Sequence, residues 1–339
     1  MLKVAVVILN WNGKSFLQKF LPSVLKNIPY YAELFVADNH SSDDSVEFLK
    51  ENYPQVHLVI NSENGGYAKG YNEGLKQIDA QYYVLLNSDI EVGPNWIEPI
   101  VQLMDGDAQI AACQPKILSF HQKQEFEYAG AGGGYIDKYG YPFCRGRIFQ
   151  EIEEDHQQFD DSIEVFWASG ACMFVRAEHY HELGGLDDDF FAHMEEIDFC
   201  WRAKNAGYKI FYEGKSVVYH VGGGTLHKSN PKKTYLNFRN NFYLLYKNLE
   251  GKRLIPVFFW RLVLDGVAGI KFFIDGDYKD TYAILKAHLK FYCSLPSLYQ
   301  KRRDLNQNRV SMMYQRNIVY EHFVKKIKKF NSLQKDRFS

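Results

Sequence analysis

The apolar residues of the first half fall into short, unalternated runs separated by helically spaced stretches. Residues 3–9, 33–38, 57–60 and 82–86 are such runs, rich in Val, Ile and Leu. A short run without alternation predicts a strand buried on both faces. Between the runs, Phe16, Leu17, Phe20, Leu21 and Leu25 recur at helical spacing. Residues 45–52 and 67–78 read as further helices, the first capped by Ser42 or Asp43. Strand, polar turn and helix in repeated alternation predict a parallel sheet with right-handed crossovers.

Beyond Asp89 the pattern changes. A short helix is expected over 96–104, a strand over 110–118, and turns with short hairpins through the Gly- and aromatic-rich 127–149. The acidic stretch 151–161 suggests a mobile loop. Strands are expected over 165–170, 171–175, 209–212 and 216–220, with a helix over 195–206 between them. From Thr234 onward everything reads helical, with Pro296 separating one helix from a long basic helical tail. The most apolar stretch, 254–274, is interrupted by Arg261, Asp265 and Lys271. That disfavours a membrane span and suggests an interfacial amphipathic helix, or equally a helix packed on the catalytic domain or a dimer partner.

With 339 residues, the chain has room for about two domains at ~150 residues each. A formal net charge of −1 argues against a dedicated nucleic-acid binder. Its five cysteines are scattered without CxxC spacing, indicating neither a zinc site nor a disulfide framework, and fit a reducing, cytosolic location. The apolar run at the N-terminus stops at Asn10, too early for a signal peptide.

Chemistry gathers where predicted strands end. Asn87-Ser88-Asp89 closes the fourth strand, at the lip where open α/β sheets bind ligands. Asp89 is the candidate ligand of a divalent cation holding a diphosphate. Upstream, Asn10 and Asn12, then Asp38, then Asn64-Gly65-Gly66 end the first three strands. A carboxylate at Asp38 could accept the N3–H of a uracil or thymine. Gly65 and Gly66 would let backbone N–H groups and the positive end of the following helix approach a ribose or phosphate, and Asn72 lies further along that helix. Downstream, Glu195, Glu196 and Asp198 open a helix. Three carboxylates exceed what helix capping needs, and crowding raises a carboxylate toward a useful general base. His220 ends a late strand and precedes Gly222, Gly223 and Gly224, a loop able to close over a substrate.

Taken together, several segments resemble the family 2 inverting glycosyltransferases of GT-A fold, and among them the rhamnosyltransferase-like members. The segments begin with Val6-Val7-Ile8-Leu9-Asn10-Trp11-Asn12-Gly13 and run on through Asp38-Asn39-His40-Ser41-Ser42-Asp43, Asn64-Gly65-Gly66-Tyr67-Ala68-Lys69-Gly70-Tyr71-Asn72 and Leu85-Leu86-Asn87-Ser88-Asp89. They continue in Ser169-Gly170-Ala171-Cys172-Met173, Met194-Glu195-Glu196-Ile197-Asp198 and Tyr219-His220-Val221-Gly222. The resemblance spans residues 1–248 and implies a GT-A catalytic domain there. Its nucleotide-sugar half would be 1–118, its acceptor and base half 119–248, and a helical extension would occupy 249–339.

It further implies a nucleotide-diphosphate sugar as donor, dTDP-rhamnose-like or UDP-linked, and a saccharide or lipid-linked acceptor in cell-surface polysaccharide synthesis. Asn10, Asn12, Asp38, Asn64, Gly65, Gly66, Asn72, Asn87 and Ser88 would line the donor. Mg2+ or Mn2+ would be held by Asp89 and His220, and Trp167, Gly170 and Arg202 would meet the acceptor. The family's base belongs to a Glu-Asp pair that reads Glu195-Glu196 here, leaving the base open between the two. Its Asp-x-Asp motif begins with Asn87, so one carboxylate faces the cation. Those two departures keep a non-catalytic nucleotide-sugar-binding component of an assembly complex in view, and a nucleotidyltransferase is a further alternative. A basic, aromatic C-terminal third fits the inner face of a membrane or a homodimer contact.

Overall fold

The computed structural model describes residues 1–222 and 230–339. The chain opens with β1 (Leu2–Asn10), α1 (Lys14–Asn27), β2 (Ala32–Asp38), α2 (Ser45–Asn52), β3 (His57–Ile60), α3 (Gly66–Leu75) and β4 (Ala80–Asn87). β1 pairs in parallel with both β2 and β4, and β2 with β3. Side chains alternate across β1 and both faces are covered. Val4, Val6 and Ile8 pack with Leu17, Leu21 and Trp96, while Ala5 and Val7 pack with Ala68 and Tyr71 of α3. That double burial is why these strands lack alternation in sequence.

After the short β5 (Ile90–Val92), α4 (Glu98–Gly106) and β6 (Ile110–Ser119), a hairpin layer follows. It contains β7 (Gly134–Asp137), β8 (Pro142–Cys144), β9 (Arg147–Ile148) and β10 (Glu151–Ile152). The chain then returns to the main sheet with β11 (Ser162–Val165) and β12 (Cys172–Arg176), and continues through α5 (Ala177–Glu182), α6 (Glu195–Asn205) and β13 (Lys209–His220). The main sheet runs β11-β13-β6-β12-β4-β1-β2-β3, with β5 on β13. It is parallel through β4, β1, β2 and β3, whereas β12 runs antiparallel between β4 and β6. The two late strands expected at 209–212 and 216–220 are one strand, its register shifting between Glu213 and Val217.

Two expectations change. The acidic stretch is not a free loop, because buried Lys116 holds Asp155 and Asp160, and buried Arg145 holds Asp161. The C-terminal third is helical through α7 (Pro231–Asn248), α8 (Gly251–Ile274) and α9 (Tyr278–Arg303), and Pro296 lies within α9. No long basic helix follows. Instead β14 (Met313–Tyr314) pairs with β7, and α10 (Ile318–Phe323) packs nearby. Lys325 pairs with Glu321 and Lys328 with Glu151, so these basic residues belong to the hairpin side.

α6, α7 and α9 are joined by buried charge. Lys247, 2% exposed, donates to both oxygens of Asp198 at 2.9 Å and also pairs with Asp187, which Lys301 meets from α9. Burial would raise the Asp187 carboxyl, but the two lysines outweigh it and hold it well below the usual range. Removing one member of a buried ion network leaves an uncompensated charge. Lys247→Met is therefore expected to cost about 3–5 kcal/mol, measured by urea unfolding. An unchanged midpoint would show that the network carries no such weight.

Candidate active site

The carboxyl end of β4 is the centre of the arrangement. The turn after Asn87 is short, and β5 then pairs antiparallel with the end of β13, setting His220 opposite Ile90. The Val221 amide donates to the Asp89 carbonyl at 3.1 Å. This topology brings Asp89 and His220 together from distant parts of the sequence, with Asp89 Oδ1 3.2 Å from His220 Nε2. Asn87 Nδ2 lies 3.5 Å from the same nitrogen. On the other side of the ring, Glu127 Oε2 is 3.2 Å from Nδ1. Glu127 is placed by its own amide, which donates to the Ile117 carbonyl of β6, and Oε2 also accepts the Ala129 amide. Asp89, Glu127 and His220 are all under 9% exposed. Burial alone would lower His220, but Asp89 and Glu127 outweigh it and raise the imidazole to about 10.

This donor set fits a divalent cation. Two donor atoms 3.2 Å apart are close to the edge of an octahedron with bonds of ~2.1 Å. A carboxylate behind the second imidazole nitrogen is the usual support for a metal-bound histidine. A cation there would compete with a proton for the His220 Nε2 lone pair. Among the described residues no group of three or more His, Cys, Asp and Glu could hold a metal ion, so a cation held by Asp89 and His220 would need other ligands such as phosphate or water oxygens.

The acidic pair of α6 reaches the same lip by a chain of short contacts. The Asn87 amide donates to the Ala171 carbonyl at 2.9 Å. Tyr67 Oη donates to the Gly170 carbonyl at 2.5 Å. A Cβ at Gly170 would stand 2.9 Å from Tyr67 Oη and 3.6 Å from the Glu196 Cβ, so only glycine lets these groups close up. Glu195 is 4% exposed and Glu196 partly buried, and the Oε2 atom of each has no hydrogen-bond partner among the described residues. Burial raises Glu195, and the neighbouring Glu196 raises it further. Burial also lifts Glu196, to about 7, against the backbone amides of the helix start. Two carboxylates, each with one oxygen left without a partner, have the character of proton acceptors. Asp198, by contrast, is fully buried and bound to Lys247, Arg202 and Asn248.

Upstream, the strand-end residues do converge, largely on one another. Asn10 Nδ2 donates to Asp38 Oδ2 at 2.9 Å, and Ser41 donates to Asp38 through its amide and hydroxyl. Asp38 is 1% exposed, leaving little of its acceptor capacity free. Asn10 Oδ1 is buried without a partner and lies beside Gly13. Asn12, at φ 51°, accepts the amides of Ser42 and Asp43 and braces the same turn. Asn64 accepts from Asn39 and from the Gly66 amide. Gly66, at φ 80°, lets the Phe191 carbonyl approach where a Cβ would stand 2.6 Å away. The Tyr67 amide donates to that carbonyl. The Gly66 and Tyr67 amides at the start of α3 are thus taken by Asn64 and Phe191.

Three further candidates prove to be braces. Asn72 donates to the Leu186 carbonyl and Asp188 and accepts from Tyr180 and the Leu186 amide, so its amide has no capacity left for a sugar. Arg202 is 6% exposed and bound to Asp198 and the carbonyls of Leu183 and Gly185. Trp167 is 4% exposed, donates to the Tyr135 carbonyl and packs against Gly134. Neither can meet an acceptor. The Gly223 and Gly224 loop lies outside the described residues. Glu127 and Tyr67 escaped the sequence reading. Glu127 sits in a turn-rich stretch with no periodicity, and Tyr67 resembles any aromatic in a helix's first turn.

A family model described as Glycosyl transferase family 2 matches residues 5–184. N-acetylglucosaminyl-diphospho-decaprenol L-rhamnosyltransferase of Mycobacterium tuberculosis is 24% identical over 230 residues, covering 63% of this chain and 75% of that protein. Rhamnosyltransferase WbbL of Escherichia coli is 20% identical over 262 residues, covering 74% and 94%. Among solved structures, GalNAc-T7 with UDP, GalNAc and Mn2+ aligns at TM-score 0.57 and 20% identity over 74% of this chain and 49% of that one. Mannosyltransferase PcManGT from Pyrobaculum calidifontis, in complex with GDP-Man and Mn2+, aligns at TM-score 0.52 and 13% identity over 89% and 84%. These likenesses show the GT-A fold.

Proposed function

The chain belongs to glycosyl transferase family 2, and we propose that it is a metal-dependent, inverting transferase moving a sugar from a nucleotide-diphosphate donor to an acceptor hydroxyl. The observation that carries this reading is the meeting of Asp89 and His220 at the end of β4, beside Glu195 and Glu196 of α6. Asp89 and His220 would hold Mg2+ or Mn2+, and Asn87, Ser88 and Asn10 lie along the donor side. Bound there, the cation would neutralise charge developing on the leaving diphosphate.

Glu196 is the better proton acceptor, being less buried than Glu195 and raised to about 7. It takes the proton of the acceptor hydroxyl as that oxygen attacks the anomeric carbon opposite the diphosphate. Glu195, beside it, is raised by its own burial and by Glu196, which keeps it the less ready of the two to ionise. One displacement with one base inverts the anomeric centre, with no covalent enzyme intermediate. The names of the two bacterial relatives favour a rhamnosyl donor, and that of the mycobacterial one a lipid-linked saccharide acceptor.

Incubation with Mn2+ and a panel of nucleotide sugars tests this. Slow release of nucleoside diphosphate from one donor is the expected result. Release of pyrophosphate would indicate nucleotidyl transfer instead, and binding of a donor with no turnover on any acceptor would leave a non-catalytic component.

A further inference from the structure

We infer that the α8–α9 hairpin is a docking surface for an anionic lipid bilayer, which it meets through outward-facing apolar stripes. In α8, Ile255, Phe259, Val263, Val267, Ile270 and Ile274 recur at spacings of three and four and are all 43–81% exposed. The buried side chains of the same helix are Val257, Arg261 and Asp265. Arg261 and Asp265 pair with each other and meet His288 and Tyr141 inside. From Arg261 to Asp265 the helix thus turns polar residues inward, while its longest apolar stripe faces outward. A globular helix in water turns its apolar stripe to the core, so this face is built for an apolar environment.

α9 carries a second outward-facing apolar stripe. Tyr278, Tyr282, Leu285, Leu289 and Tyr292 follow helical spacing at 49–67% exposure, while Ala283, Ala287 and Phe291 pack inward. Tyrosines combine an apolar ring with a polar tip, suited to the headgroup boundary. Between the helices runs a groove of about 420 Å3, lined by residues including Leu262, Ile270, Phe273 and Leu285. Gly266 and Gly269 leave it open, giving acyl chains room to enter.

Charge selects the occupant. From residue 251 to 303, six Lys and Arg are exposed against two Asp, in a chain of formal net charge −1. Lys271, Lys279, Lys286 and Lys290 are exposed on these helices. Such an excess repels a second copy of the same face and attracts anionic headgroups. Among the described residues no helix is long and apolar enough to cross a membrane, so the hairpin lies in the interface.

The hairpin is also linked to the proposed base helix through interior contacts. The Tyr141 hydroxyl lies 3.4 Å from Asp265, and Asn241 of α7 donates to the Gly140 carbonyl and approaches the Met194 sulfur at 3.8 Å, one residue before Glu195. A lipid-linked acceptor would thereby be presented from the bilayer side. This last step rests on the proposed transferase reading, whereas the docking itself does not.

Sedimentation of the full chain with phosphatidylcholine vesicles, with and without phosphatidylglycerol, tests the inference. Binding is expected to rise at least about tenfold with phosphatidylglycerol and to fall with added salt. Combining Phe259→Glu with Val267→Glu is expected to weaken it by on the order of tenfold or more. Reversal of Lys286 or Lys290 should cost about fivefold each. Tyr30→Glu, at a fully exposed tyrosine of the N-terminal half, should change nothing. Because the altered side chains are exposed, unfolding temperature and donor turnover with a water-soluble acceptor should match wild type. A failure of docking therefore reads separately from a failure of transfer. Wild-type protein that stays in the supernatant with both vesicles, or binding equal in wild type and the glutamate variant, would overturn the inference. So would a dimer in solution that the glutamate variant abolishes while vesicle binding persists.

Discussion

Asp89→Ala is expected to lower transfer by on the order of 10³-fold or more while the protein remains folded. The magnitude follows from charge. Metal assistance at a leaving diphosphate supplies several kcal/mol, at ~1.4 kcal/mol per tenfold in rate. Asp89 is the single carboxylate of the Asn87-Ser88-Asp89 segment, so no neighbouring acid in that motif compensates. The fold should survive because the side-chain contact of Asp89 is with His220 at a polar lip. The structural link there, the Val221 amide to the Asp89 carbonyl, is made by the backbone. Circular dichroism should therefore show native content in a variant whose turnover is lost. Turnover within a few fold of wild type, in Mn2+ and saturating donor, would remove Asp89 from the chemistry.

The second large effect concerns the acidic pair. Glu196→Gln should cost about 10²–10⁴-fold in kcat, the usual range for removing a positioned base, with a smaller change in donor KM. The pH profile carries the sign. A base works ionised, and burial raises Glu196 to about 7, so wild-type transfer should fall as pH drops below about 7. Stability should move the opposite way. A carboxyl raised on folding disfavours its charged form, so ionisation above its ordinary value near 4.5 destabilises the native state as pH rises. Glu196→Gln and Glu195→Gln should each raise the unfolding temperature at pH 8, which a loss through misfolding would not. If Glu195→Gln alone abolishes transfer and Glu196→Gln does not, the roles within the pair are exchanged.

Much of the scaffold could be read from residues because local pattern and global placement agree. The first four strands are unalternated because both faces are covered, as Val6 and Val7 show by facing opposite cores. Asp89 stands out as charge at the end of a buried run, and the Glu195-Glu196 pair as more acid than the start of a helix needs. The misread positions share a different cause. Asn72, Arg202 and Trp167 have functional-looking chemistry, but their partners are backbone groups of distant segments, such as Leu186, Leu183 and Tyr135. Sequence spacing carries no trace of those partners. Glu127 was missed for the same reason, since its significance comes from β13 delivering His220 beside it. In the C-terminal third, composition predicted helices, but β14 pairing with β7 depends on a tertiary contact that the basic residues around it obscure.

The central claim is that Asp89 and His220 hold a divalent cation against a nucleoside diphosphate. Titrating Mn2+ into the protein while following the signal of free Mn2+ by electron paramagnetic resonance, with and without a nucleoside diphosphate, tests it most directly. Wild-type protein should bind Mn2+ more tightly with the diphosphate present, and Asp89→Ala and His220→Ala should each weaken that binding by about tenfold or more. Equal Mn2+ affinity in wild type and both variants would contradict the claim.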